Sequence, residues 1–308
     1  MTMEPIAKPI VAERAAPTGP ALINLGRPPY KTLFWRKLQD NLVQGFSVAA
    51  LVLAVGVMLW ILGTILVRGS EALSWDFLTT TTAPHGFKGG IGNALVGTLY
   101  ITLFAALIAV PPAICAGIWL AEFGKQSRLA DALRFSANVM MGMPSIVVGL
   151  FVYMILVAPM GASSGLAGSV SLAILMFPVV MRTTEDMLMM VPDTLRESGL
   201  ALGLTRCRVT LQIICKAARN GMVTGVLLSV ARVSGETAPL LFTAQFAQTW
   251  PNAFFNGPTA SIPVLINNYG MSNFEDLQTA GWGASLVIAV LVLSINIIAR
   301  VAFRDKKH

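Results

Sequence analysis

Long apolar runs alternate along this chain with short polar joints. A helix crossing the hydrocarbon core needs about 20 largely apolar residues. Six segments meet that length, at about 44–67, 94–121, 135–158, 166–184, 219–245 and 280–303. A Gly/Ser joint, GASSG, parts the third from the fourth. The pattern predicts an all-α integral membrane protein with six transmembrane helices. Residues 30–43, YKTLFWRKLQDNLV, mix aromatics with cations and predict an interfacial amphipathic helix leading into the first span. Residues 1–29 are rich in Ala and Pro and read as a disordered tail. The membrane domain is then 44–304, with a short tail at 305–308. Pro111, Pro112, Pro144, Pro178 and Pro239 lie in or near spans, and a kink is expected before Pro239, whose ring crowds the carbonyl of Gly235.

Composition agrees. The chain is 55% hydrophobic and 12% charged, with mean hydropathy +0.69, whereas soluble domains carry about 25% charged residues. A net charge of +7 would point to nucleic acid in a soluble protein. Here the cations flank the apolar runs, so the partner is the lipid bilayer and no nucleic acid is expected. Lys8, Arg14, Arg27, Lys31, Arg36 and Lys37 precede the first span, and Arg304, Lys306 and Lys307 follow the last. Segment 246–279 has Glu275 and Asp276 but no Lys or Arg, and loop 69–93 has only Lys88. Both termini are therefore expected in the cytoplasm. The polar first forty residues do not read as a cleavable signal peptide. Cys115, Cys207 and Cys215 lack metal-ligand spacing and read as free thiols.

The fifth apolar run carries Arg232 and Glu236. A charge at bilayer depth costs roughly 2.5–3.5 kcal/mol on insertion scales. Positions four apart share a helical face, so the two can neutralise each other. Gly221, Gly225, Ser229, Arg232, Glu236, Pro239 and Thr243 project into one arc of about 80°. Either this face lines a polar path or the pair is an ion lock between subunits. Arg182, beside Thr183 and Thr184, is a second candidate, with an interfacial snorkelling anchor as the alternative. Met140, Met141, Met143, Met187, Met189 and Met190 lack partner ligands and read as packing, with no metal site.

Between the fourth and fifth runs, about 185–218, lies a patterned polar loop. Thr194 followed by Glu197 predicts a capping box. Gly203 suits a left-handed cap, and Thr205 can start the next helix. A short helix, a glycine turn and a returning helix are expected, docked on a partner or on the bundle itself.

These residues resemble the binding-protein-dependent ABC transporter permeases, whose cytoplasmic loop reads E-A-A-x-x-x-G-x9-I-x-L-P. Glu197, Gly203 and Ile213 are in register; Ser198 and Gly199 replace the alanines, and Cys215 and Lys216 replace Leu and Pro. The strings GGIGNALVGTLYIT (89–102), GIWLAE (117–122), PSIVVGLFVY (144–153), FPVVMRTTEDML (177–188), VPDTLRES (191–198) and ARVSGETAPLLFTA (231–244) resemble the PstA-type permeases of bacterial phosphate transporters, in which Lys at position 216 is usual. The resemblance covers about 30–304. It implies a type I ABC importer permease fold with a cytoplasmic coupling helix, in a bacterial plasma (inner) membrane. The implied partners are a PstC-type homologous permease, two copies of a cytoplasmic ATPase and an extracytoplasmic phosphate-binding protein. Glu197, Ser198, Gly199, Gly203 and Ile213 would couple to the ATPase. Arg232, Glu236, Arg182, Ser229 and Thr243 would serve the phosphate pathway, with Glu236 pairing Arg232 between passages. The chain has no G-x-x-x-x-G-K-[ST] phosphate loop. Hydrolysis, ATP and Mg would belong to the partner ATPase, leaving this chain no cofactor and no catalytic residue. Permeases for sulfate, molybdate or phosphonate share this architecture. A lipid-phosphate enzyme would want clustered carboxylates, histidines or a metal triad, and a passive channel would need no docking loop.

Overall fold

The computed structural model describes residues 30–125 and 127–302, so the expected tails 1–29 and 305–308 lie outside the described residues. All regular elements among the described residues are helices. The chain divides into two compact units, 1–59 and 60–308. In the first, residues 30–59 belong to helix α1 (Tyr30–Ala72), and those from Phe34 to Leu59 are exposed. This stretch has no proline and no break near residue 43, so segment 30–43 is continuous with the apolar run.

The second unit carries the rest of the helices. After α2 (Trp75–Thr79), helix α3 (Gly92–Ile118) ends in a π turn, Trp119–Phe123. Helix α4 (Arg128–Gly142) is capped by the Ser127 hydroxyl. Helix α5 (Ser145–Val152) follows, extended by a π turn (Tyr153–Val157) and by α6 (Ala158–Met160). Then come α7 (Gly165–Met189), α8 (Asp193–Ala201), α9 (Arg206–Arg208), a π segment (Val209–Ile214), α10 (Cys215–Val233), α11 (Ala238–Thr243), α12 (Ile262–Gly270) and α13 (Glu275–Ala302).

Among the described residues five helices are long and apolar enough to cross a membrane, and six spans result if the α4–α5 pair counts as one. Three expected spans need correction. The third, 135–158, is bent by 101° where Met143 and Pro144 part α4 from α5. Pro144 accounts for the break: it has no N–H to donate, and it disfavours helical backbone at Met143. The fourth continues five residues beyond 184, so Glu185 and Asp186 are helical. The fifth, 219–245, is two helices, because α10 stops at Val233 and α11 starts at Ala238. Pro239 explains that stop, since it crowds Gly235 and suits a helix's first turn. Pro111 and Pro112 in α3 and Pro178 in α7 leave their helices unbroken.

The core is α3 against α7 with α10 alongside. Ala105, Ala109 and Ala113 of α3 meet Leu172, Met176 and Val180 in one buried cluster. Lipid removes most of the hydrophobic gain from helix association, so close packing of small residues is what holds such helices together. Polar ties fix the connections at the other end of α3. Buried Asn93 accepts from the Thr82 N–H (3.0 Å) and donates to the Ala247 carbonyl (2.9 Å). The Thr98 hydroxyl accepts from the Ile262 N–H at 2.8 Å. The His85 ring lies 2.8 Å from Asp276 and stacks on Phe274.

Candidate functional site

The break between α10 and α11 shapes the charged site. Arg232 is in the last turn of α10, while Glu236 lies in the turn before α11. The expected helical i,i+4 pair is therefore not made: among the described residues neither side chain forms an ion pair. Both instead line one cavity of about 130 Å³, a volume sufficient for several waters. Ser145, Ser229 and the methionines Met140, Met141 and Met143 share its wall with apolar Leu175, Val179 and Val233. The Ser229 hydroxyl is buried and has no hydrogen-bond partner. A buried polar atom without a protein partner is uncommon, and this hydroxyl is free to bond a polar group inside the cavity.

The rest of the expected polar face is dispersed. A side chain on Gly225 would meet the Thr183 hydroxyl of α7 at 2.9 Å, so that part of the face packs helix on helix. Thr243 is buried on α11 and donates to the Pro239 carbonyl at 2.8 Å. It is not part of the cavity wall.

Arg182 belongs to a different group, which the sequence reading missed. Glu185, one turn further along α7, has a side chain only 1% exposed. It accepts from Arg182 Nη1 at 2.8 Å and from Arg134 Nε of α4 at 2.7 Å. Arg134 also donates to the Leu120 carbonyl in the π turn that ends α3. One buried carboxylate thus gathers α3, α4 and α7. The available signal is the Arg182–Glu185 spacing of three, which an apolar run ending at 184 leaves outside the span.

The loop forms the expected helix, turn and returning helix, with one correction. Pro192, not Thr194, occupies the N-cap of α8 and no side chain caps that end, so no capping box forms. Pro192 holds an extended conformation before the first turn, which starts the helix at Asp193. The C-terminus behaves as expected. Gly203 has φ +79°, its N–H donates to Leu200, and the Leu204 N–H donates to Gly199. These two bonds make a Schellman cap. The Thr205 hydroxyl caps α9. Gly199 is buried under the returning segment, where an added Cβ would sit 2.9 Å from both Ile213 and Val209. Gly199 and Ile213 thus hold the loop together, while Glu197, Ser198 and Gly203 face outward with Leu195, Leu200 and Leu202.

Arg196 is the second feature missed. Its guanidinium donates to Glu122 (2.7 and 3.0 Å), to the Leu188 and Val191 carbonyls (2.8 and 2.6 Å) and to Asp193 (3.0 Å). The hydrogen bond to Glu122 raises the Arg196 pKa further above its ordinary value. Among the described residues no cluster of His, Cys, Asp and Glu could hold a metal ion.

Comparison with known proteins places this arrangement. Residues 113–307 match the family described as binding-protein-dependent transport system inner membrane component. The chain is 42% identical over 276 residues to the phosphate transport system permease protein PstA of Haemophilus influenzae, covering 89% of this chain and 97% of that one. It is 35% identical over 273 residues to PstA 1 of Mycobacterium tuberculosis H37Rv, covering 86% and 87%. Among solved structures, a chain of a bacterial alginate ABC transporter aligns with TM-score 0.61 at 14% identity, over 88% of this chain and 96% of that one. A chain of the inward-facing MetNI methionine ABC transporter gives 0.58 at 17%, over 70% and 94%. Five to six apolar helices, a helix–glycine–helix loop and these relatives lead to one conclusion: the chain belongs to the binding-protein-dependent transport system inner membrane components, as a PstA-type ABC transporter permease.

Proposed function

We propose that this chain is the membrane permease subunit of an ATP-driven phosphate importer and that the cavity of Arg232, Ser229 and Glu236 is part of its phosphate path. The observation that carries this reading is the unpaired Arg232 guanidinium beside the unsatisfied Ser229 hydroxyl. Phosphate entering a membrane must exchange its water shell for fixed donors. Arginine supplies a planar fork and a charge that persists at all working pH values, and a serine hydroxyl supplies a further donor. Glu236 lines the same wall across the 234–237 break, so movement at that break changes its separation from Arg232. A carboxylate there disfavours a permanently bound anion and speeds release. Arg182, held by Glu185, is the second pathway arginine.

The other partners follow from the same reading. The exposed face of α8, with Glu197, Ser198 and the leucines, seats a cytoplasmic ATPase, two copies of which supply ATP and Mg chemistry. A PstC-type permease forms the other half of the path, and an extracytoplasmic phosphate-binding protein delivers the cargo. The basic flanks put both termini in the cytoplasm. The test is uptake of labelled phosphate by the reconstituted complex, with unlabelled phosphate, sulfate, molybdate or a phosphonate as competitors. Competition by phosphate alone is expected. Equal competition by sulfate or molybdate would assign another oxyanion as cargo, and uptake without ATP would make the assembly a channel.

A further inference from the structure

The Arg196–Glu122 contact joins parts of the chain far apart in sequence, and the translocation path does not use it. Arg196 is turned inward from α8, its side chain 13% exposed, while neighbouring Asp193 is 76% exposed. Its carboxylate partner, 10% exposed, lies in the π turn that ends α3. Its two carbonyl partners, Leu188 and Val191, lie in the last turn of α7 and in the turn that follows. The last four carbonyls of a helix lack the usual i→i−4 partner, and the Leu188 carbonyl also accepts from the Val191 N–H at 3.2 Å. One planar fork therefore ties α8 to the ends of α3 and α7 simultaneously. Two residues before Glu122, the Leu120 carbonyl accepts from Arg134, which in turn holds Glu185 and through it Arg182.

We propose that Arg196 and Glu122 form a strut that transmits displacement of α8 to the α3–α7 pair, with Arg196 as a positioning residue for coupling. The inference rests on the importer reading above for the source of the displacement. A loop held only by its chain connections would absorb a push by bending at Pro192 and Gly203. A largely buried bidentate pair does not, because both partners are fixed in orientation and are less screened by salt than exposed charges. Lysine keeps the charge but not the fork, so it cannot serve all three elements at once.

The test uses the complete reconstituted complex with Arg196→Lys, Glu122→Gln, both together, and the exchanged pair Arg196→Glu with Glu122→Arg. Three quantities are read: ATPase co-purifying with the permease, ATP hydrolysed, and phosphate carried per ATP. The strut predicts unchanged assembly and continuing hydrolysis, with phosphate per ATP down about fivefold or more, the lower end of measured site-to-site couplings. The double variant should be no worse than either single, and the exchanged pair should recover part of the loss. Unchanged phosphate per ATP in both single variants, or losses that multiply in the double, would overturn the proposal. If one single variant fails to assemble the other decides, and failure of both would make the contact a stabilising tie only. A wild-type complex that carries no phosphate counts against the importer reading instead. The strut is then read without cargo, from spin labels at Leu202→Cys and Lys125→Cys after serine replacement of Cys115, Cys207 and Cys215. Their separation should hold constant through the ATP cycle and spread in Glu122→Gln; equal spread in both would overturn it.

Discussion

Replacing Glu185 by glutamine keeps the side chain's shape and removes the charge that gathers α3, α4 and α7. Glu185 accepts two charge-assisted hydrogen bonds, at 2.7 Å from Arg134 and 2.8 Å from Arg182. Each such bond is worth about 1.5–3 kcal/mol net, and breaking a buried pair typically costs about 3–5 kcal/mol. The two arginines keep 22% and 36% exposure, so water recovers part of their solvation once the carboxylate charge is gone. The expected loss is therefore at the lower end, about 3 kcal/mol. On the scale of a 150–250-residue domain this is a fall of about 6–12 °C in the thermal midpoint. Tryptophan fluorescence of the purified complex in lipid nanodiscs measures it. Arg134→Gln alone should cost less, because Arg182 still holds Glu185, and the two changes together should fall short of their sum by about 1 kcal/mol or more. An unchanged midpoint in Glu185→Gln, or strict additivity with Arg134→Gln, would refute the reasoning.

Three further outcomes are expected. Gly203→Val should cost about 1–2 kcal/mol from backbone strain alone, because φ is +79° and no atom lies within 4 Å of an added Cβ; phosphate carried per ATP should fall, and Gly203→Asn should restore much of it. Asn93→Leu strips the bonds to Thr82 and Ala247 and should cost about 1–3 kcal/mol for each buried group left unpaired, read as faster protease cleavage within 80–91 and 244–261. Cys207 is exposed at the start of α9, so a membrane-impermeant maleimide should label it from the cytoplasmic side only; labelling from outside would invert the proposed orientation.

Composition and apolar run length made the membrane class and the span count legible. The loop's cap was legible too, because a left-handed residue after a short helix strongly favours glycine, as at Gly203. Breaks were harder to read. Five prolines looked alike in sequence, yet only Pro144 and Pro239 stand at breaks; Pro111, Pro112 and Pro178 are absorbed in helices that neighbours support. The Arg232–Glu236 pair was inferred from helical spacing, and that spacing fails once the helix stops at Val233. Two of the ion pairs that do form, Arg134–Glu185 and Arg196–Glu122, have partners 51 and 74 residues apart. No local period reveals such pairs; only the fold brings them together.

The most direct test of the account is phosphate uptake by the reconstituted complex carrying Arg232→Ala or Arg232→Lys, scored beside assembly and ATP hydrolysis. Loss of uptake in the first and partial uptake in the second, with the complex intact, is the predicted result. Normal uptake with Arg232→Ala would remove this cavity from the phosphate path and contradict the account.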